Sequence, residues 1–156
     1  MKEVQIIPFE DQYATHFASL NLEWIKHYFA VEPMDKELLL NCKNSIIAPG
    51  GYIFFAKIDE DVVGTFALIK IADGVFELGK MGISPEYRGY KIGQKLLQFC
   101  VAFAQQQSWE KLVLYTNTIL ENAIHIYKKN GFEQVPVEEN TEYKRSNVKM
   151  ELKLTK

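Results

Sequence analysis

Cysteine, histidine, excess charge of one sign and long apolar runs are all scarce in this chain, and each shortage removes a class of function. Two cysteines and three histidines occur in 156 residues. Cys42 and Cys100 cannot build a disulfide framework, and His16, His27 and His125 fit no zinc spacing with each other or with the cysteines, so no metal is expected. Lys and Arg number 18 against 20 Asp and Glu, a formal net charge of −2, which leaves no basic footprint for nucleic acid. No window approaches the roughly 18 apolar residues of a membrane span. The segment Met1-Lys2-Glu3-Val4-Gln5-Ile6-Ile7-Pro8 has no apolar signal core, and neither end shows a lipidation motif, so a cytoplasmic protein without a membrane partner is expected. The phosphate loop G-x-x-x-x-G-K-[ST] is absent, and Gly89 to Gly93 does not supply G-x-G-x-x-G, which argues against a nucleotide module.

What remains is an ordinary globular composition, 47% hydrophobic and 24% charged. The length predicts one domain over 1–156, large enough to bury about two thirds of its unfolded surface. Repeats, linkers and low-complexity runs are not seen. Val4 to Pro8 reads as a strand, with Asp11 as the cap of the helix that follows. That helix carries two apolar stripes, Tyr13, Phe17, Leu20, Trp24, Tyr28 and Ala14, Ala18, Leu22, Ile25, Phe29, although packing on a sheet needs only one. The surplus aromatics, Trp24 and Tyr28 among them, either pack or line a pocket. A second helix follows Pro33, with Leu38, Leu39 and Cys42 inward. Tyr52 to Ile58, Val62 to Ile71 and Val75 to Ile83 are β-rich runs joined by turn residues. A helix over Arg88 to Gln107 places Cys100 in line with Leu96 and Phe103, a core position. A strand over Lys111 to Tyr115, a helix over Ile119 to Asn130, and strands near Phe132 to Val137 and Val148 to Leu154 complete the chain. The order β α α β β β α β α β β predicts an α/β (α+β) mixed sheet with helices on both faces.

The stretch Ile83-Ser84-Pro85-Glu86-Tyr87-Arg88-Gly89-Tyr90-Lys91-Ile92-Gly93-Gln94 joins a strand end to the first turn of an amphipathic helix. Such a turn is suited to phosphate. Gly89 and Gly93 let the backbone approach an anion, and the unpaired amides of a helix start carry the positive end of its dipole. Arg88 adds a planar cationic fork and Lys91 a point charge. A plain glycine loop before a helix reads the same way, so the flanks decide.

Glu77-Leu78-Gly79-Lys80-Met81-Gly82-Ile83 leads into the loop as a strand, and Asn122-Ala123-Ile124-His125-Ile126-Tyr127-Lys128-Lys129-Asn130-Gly131-Phe132 follows one helix and one strand later. This order resembles the GNAT acetyltransferase superfamily, in which R/Q-x-x-G-x-G/A binds the pyrophosphate of acetyl-CoA and a later helix carries A-x-x-x-Y before G-F. Arg88, Ile92 and Gly93 match, while Lys91 replaces the middle glycine; a side chain is expected to be tolerated there if φ is negative and the amide still faces the phosphate. The resemblance implies a single-domain fold with a mostly antiparallel twisted sheet, and acetyl-CoA as acetyl donor. It assigns the donor to the backbone of Met81 and Ile83, to Arg88, Gly89, Tyr90, Lys91, Ile92, Gly93 and Gln94, to Asn117 on the opposite lip, and to Tyr127. The side chains of Met81 and Ile83 read equally well as core.

Tyr127 occupies the position of a tyrosine that faces the coenzyme sulfur in this superfamily, where a phenol of pKa about 10 can protonate a thiolate; the alternative is a tyrosine packed on the helix core. Glu77, six residues before Ile83, matches the general-base glutamate of histone acetyltransferases, and a carboxylate in an apolar run calls for a reason. Its alternatives are a solvent-facing residue or a partner of Lys80. The acceptor site is expected between the first two helices, with Trp24 and Tyr28, the loop near Asn44 to Gly51, and Glu138 to Arg145. The acidic half of that last segment suits a cationic amine, and Arg145 suits a substrate carboxylate. The implied activity is N-acetylation of a primary amine on a small molecule by a monomer or homodimer. Acetylation of protein lysines or N-termini, or a silent acyl-CoA sensor, are the alternatives.

Overall fold

Two tight turns start the sheet. Ile58 faces Asp61 and Ala72 faces Val75, so each hairpin closes on two residues, with Asp59 at φ 53 and Gly74 at φ 74 supplying the left-handed backbone that short hairpins require. The computed structural model describes residues 3–87, 89–138 and 146–154. Strands β1 (Gln5–Pro8), β2 (Tyr52–Ile58), β3 (Asp61–Ala72), β4 (Val75–Ile83), β5 (Lys111–Thr116), β6 (Glu133–Val135) and β7 (Val148–Lys153) form one sheet in the order β1-β2-β3-β4-β5-β7-β6. Among the described residues, only β4 and β5 are parallel neighbours. The helices are α1 (Ala14–Tyr28), α2 (Pro33–Leu40), α3 (Ile92–Gln106) and α4 (Glu121–Lys129).

Period-2 alternation sends successive strand residues to two cores. Phe54, Phe66, Leu68, Phe76 and Leu78 join Leu96, Leu97 and Cys100 of α3 on one face. Ile53, Phe55 and Ala67 join Phe17 and Ile25 of α1 and Leu38 and Leu39 of α2 on the other. Five residues of α3 are buried, each large apolar one contributing about 1.5–3 kcal/mol. Cys42 and Cys100 are both buried thiols whose pKa is raised by loss of solvent.

Three local expectations change. Asp11 does not cap α1; it opens a 3-10 turn, Asp11–Tyr13, and its carboxylate pairs with Lys43 at 3.2 Å. The third helix begins at Ile92 rather than Arg88, because Pro85–Tyr87 form a 3-10 turn and Lys91 reverses the chain. The fourth begins at Glu121 rather than Ile119, because the Ile119 amide donates to Asn117 Oδ1 at 3.0 Å and ties the preceding residues into a side-chain turn.

Candidate active site

The β4–β5 ladder runs only from Val75–Glu77 against Lys111–Val113, yet β4 continues to Ile83 and β5 to Thr116. Past Glu77 the two strands part, leaving a cleft at their C-terminal ends. Open parallel sheets bind ligands at such an edge.

One wall of the cleft is α3. Its N-cap residue, Lys91, lies at φ 56 and ψ 38, which overturns the expectation of a negative φ. A side chain in this region costs about 1–2 kcal/mol, which explains why the matching motif position favours glycine. Ile92, Gly93 and Gln94 begin the helix with no side-chain cap, and first-turn amides of this kind can receive an anion. A Cβ on Gly93 would stand 3.1 Å from Ile83 Cδ1, closing the gap between strand and helix. Gly89 has open space for a Cβ, but its φ of 88 demands glycine. Tyr87 steadies the loop by donating to Asp61 Oδ2 at 2.6 Å, a bond that pushes the phenol up to about 12, and its ring meets Tyr90 at 5.6 Å.

A cavity of about 310 Å³ lies between Met81 and Ile83 of β4, Lys91, Gly93, Gln94 and Leu97 of the loop and α3, and Asn122, Ala123, Ile126 and Tyr127 of α4. Burial pushes the Tyr127 phenol up to about 12, with the Cys100 thiol adding to the shift, so it stays protonated at neutral pH. Its ring lies 5.8 Å from that of Phe132, the aromatic after Gly131. Ile92 does not contribute its side chain, which is 2% exposed in the core; only its backbone is available. Arg88 lies outside the described residues.

Glu77 lines a smaller cavity at the point of divergence, with Trp24, Phe29, Lys80, Tyr115 and Asn117. Asn117 therefore stands beside Glu77 rather than in the larger cavity. A third groove, about 570 Å³, runs along Leu20, Glu23, Trp24, His27 and Tyr28 of α1 over Ile83, Pro85 and Asn122. These α1 positions follow i, i+3, i+4, i+7 and i+8, one helix face, and Tyr28 is 52% exposed. The surplus aromatics line a groove while Phe17, Ala18 and Ile25 fill the core. Ile83 and Asn122 border both this groove and the Tyr127 cavity, and Trp24 joins it to Glu77.

The loop near Asn44 to Gly51 lines none of the three cavities: Ile46, 1% exposed, and Gly51, where a Cβ would meet Ile46 O at 2.5 Å, pack inward, while Asn44, Ala48, Pro49 and Gly50 are exposed elsewhere. Of Glu138 to Arg145, Glu138 accepts from Tyr115 Oη at 2.9 Å and pairs with Lys149, which holds its carboxyl below the usual range; residues 139–145, Arg145 included, lie outside the described residues. Sequence reasoning missed Asn122, Leu97 and Ile126. A polar residue in the first turn of α4 was the available signal for Asn122.

The family model described as Acetyltransferase (GNAT) family matches residues 17–132. A probable N-acetyltransferase, camello, of Xenopus tropicalis is 30% identical over 114 residues, 72% of this chain and 52% of that protein. The chain spans about half the length of the curated relatives it matches first. The crystal structure of a GNAT-family acetyltransferase from Staphylococcus aureus Mu50 superposes with a TM-score of 0.86 at 23% identity, covering 98% of this chain and all of that one. Spermidine N-acetyltransferase from Vibrio cholerae, in complex with CoA and spermine, superposes at 0.74 with 20% identity over 97% and 95% of the two chains. Family model and fold agree: the chain belongs to the GNAT acetyltransferase family.

Proposed function

We propose that residues 1–156 act as one N-acetyltransferase unit that moves the acetyl group of acetyl-CoA to a primary amine on a small molecule. The observation that carries this is the parting of β4 and β5 beside an uncapped helix start, with Tyr127 on one side and Glu77 at the point of divergence. The residues fit the donor. First-turn amides of α3 and the Lys91 ammonium would hold its pyrophosphate, Gly93 leaves the passage to Ile83 open, and backbone groups of Met81 and Ile83 would pair with the pantetheine arm as an added strand does. Acetyl-CoA supplies an activated thioester carbonyl at the cleft.

The chain's own residues handle the protons. An alkyl ammonium of pKa about 10.4 must lose a proton at a cost of about 4.6 kcal/mol at pH 7, and Glu77 accepts it directly or through water. As the amine nitrogen bonds to the carbonyl carbon and the C–S bond breaks, Tyr127, held protonated, would pass its proton to the departing thiolate and regain one from the acylated nitrogen, so that the second amine proton ends on CoA and the phenol is restored. The groove along Trp24, His27 and Tyr28 takes the acceptor, with Glu23 favouring a cation. The Vibrio neighbour holds spermine together with CoA, which supports an amine of this kind. The test is mass spectrometry of spermine, 2-phenylethylamine, L-lysine and a lysine peptide after incubation with acetyl-CoA and the protein. A 42 Da gain, roughly one acetyl for one hydrogen, on a small amine supports the reading; acetylation of the peptide alone assigns a protein acceptor, and CoA binding without any transfer assigns a sensor.

A further inference from the structure

Lys80 and Asp35 form an ion pair inside the protein. Lys80 Nζ donates to Asp35 Oδ1 at 3.0 Å, and the side chains are 5% and 0% exposed. Desolvating two charges offsets much of their attraction, and apolar side chains of similar volume often hold a core equally well. Such a pair is better explained by what it fixes in place than by stability.

On β4, Lys80 sits at φ 53, where the ladder slips: Ala67 faces Gly79 while Thr65 faces Gly82, three steps on β4 against two on β3. The added residue reverses the alternation. Phe76 and Leu78 enter the core beneath α3 before it, and Met81 and Ile83 pack there after it. In an unbroken strand, residues three apart point to opposite faces. Here Glu77 and Lys80 line one cavity, and Gly82 lies under α1, where a Cβ would meet Leu20 O at 2.9 Å. Asp35 holds the other end. Its Oδ2 accepts from the Glu32 amide at 2.8 Å at the start of α2, while Oδ1 takes Lys80. One carboxylate thus fastens the bulge to the α1–α2 connection, whose Phe29 meets Trp24 edge-on at 6.2 Å in the Glu77 cavity.

We propose that Lys80 and Asp35 are positioning residues for acetyl transfer: their buried pair locks the β4 bulge against the start of α2, and so fixes the direction of Glu77 and the acceptor wall carried by Phe29. This rests on the acetyltransferase reading above. Lys80→Met alone leaves a buried carboxylate without its cation and is expected to fold poorly, so the double variant Lys80→Met/Asp35→Leu carries the test, with Lys80→Arg as the conservative control. Three readouts are compared with the parent: CoA affinity by calorimetry, initial rates with spermine, 2-phenylethylamine and L-lysine, and the Glu77 carboxyl signal in 13C-glutamate-labelled protein, assigned by Glu77→Gln. The double variant should keep parental CoA affinity, lose about 10²-fold in kcat/KM with the best amine, and show a broadened or split Glu77 signal; Lys80→Arg should stay near the parent. A folded double variant with a single parental Glu77 signal, or with parental rates, overturns the proposal. If the parent acetylates none of the three amines, the carboxyl signal alone decides. Failure of the parent to bind CoA strikes the acetyltransferase reading, whereas a parental Glu77 signal in the double variant strikes the positioning role.

Discussion

Tyr127, the proposed proton donor, is also a packing residue. Its ring lies against Phe132, and the same burial raises its pKa to about 12, which keeps the proton on the phenol. Tyr127→Phe keeps the ring and removes the donor, so kcat should fall about 10²-fold with CoA affinity unchanged in calorimetry. The shift has a second consequence. A phenol whose pKa rises on folding contributes stability that is present below pH about 10 and is lost as pH climbs towards 12, so denaturant titrations of Tyr127→Phe should show a shallower alkaline decline than the parent. Glu77 calls for a different profile. Glu77→Gln should be most impaired near pH 7 and recover as pH approaches the amine pKa, because the free-base acceptor no longer needs a base; parallel parent and variant profiles would leave Glu77 as a binding residue. Lys91 tests strain. With φ at 56, Lys91→Gly should gain about 1 kcal/mol, raising Tm by about 2–4 °C, while CoA affinity falls because the ammonium that would meet the pyrophosphate is lost, and an unchanged or lower Tm would show that the left-handed backbone costs nothing here.

At the scale of elements, hairpin strands were the most legible. β2 and β4 have the limits that their residues predict, because acidic and Gly turns bound runs of β-branched and aromatic side chains. Helix starts were less legible. Apolar periodicity carries backwards to Ile119 and Leu120, but a side-chain turn wins there, and Lys91 holds a backbone state that composition does not reveal. The β4 bulge left a trace in the sequence, where the apolar residues shift from even positions at Phe76 and Leu78 to odd ones at Met81 and Ile83, but the register against β3 is what identifies the shift as an extra residue. Burial separates the two helices of the cleft. α3 buries five residues whereas α4 has none in the fully buried class, although its Ala123, Ile126 and Tyr127 line the cavity. Amides of α4 should therefore exchange with deuterium faster than those of α3, and CoA should slow α4 most; equal protection of both helices without ligand would contradict this.

Across the whole molecule, a mixed sheet covered on both faces was readable from element order, while the sheet order and the point where β4 leaves β5 came only from the structure. Residues meet across that point from distant parts of the sequence: Trp24 of α1, Glu77 of β4 and Tyr115 of β5 border one cavity, and Lys91 and Tyr127 another. The family resemblance reported the second set, because its motifs fall on the loop before α3 and on α4. The first depends on how α1 crosses the sheet, which no spacing encodes. Ligand binding there should stabilise the whole fold, by about 2.7 kcal/mol at 100 times the dissociation constant. Calorimetric titration of CoA into the parent and into Gly93→Glu tests the central claim most directly, because the added side chain would enter the 3.1 Å passage between Gly93 and Ile83 and set a carboxylate against the pyrophosphate. One CoA should bind per parent chain, with affinity at least about 10²-fold weaker in a folded Gly93→Glu protein, a difference of about 2.7 kcal/mol; equal affinity in the two would remove the β4–β5 cleft as the cofactor site.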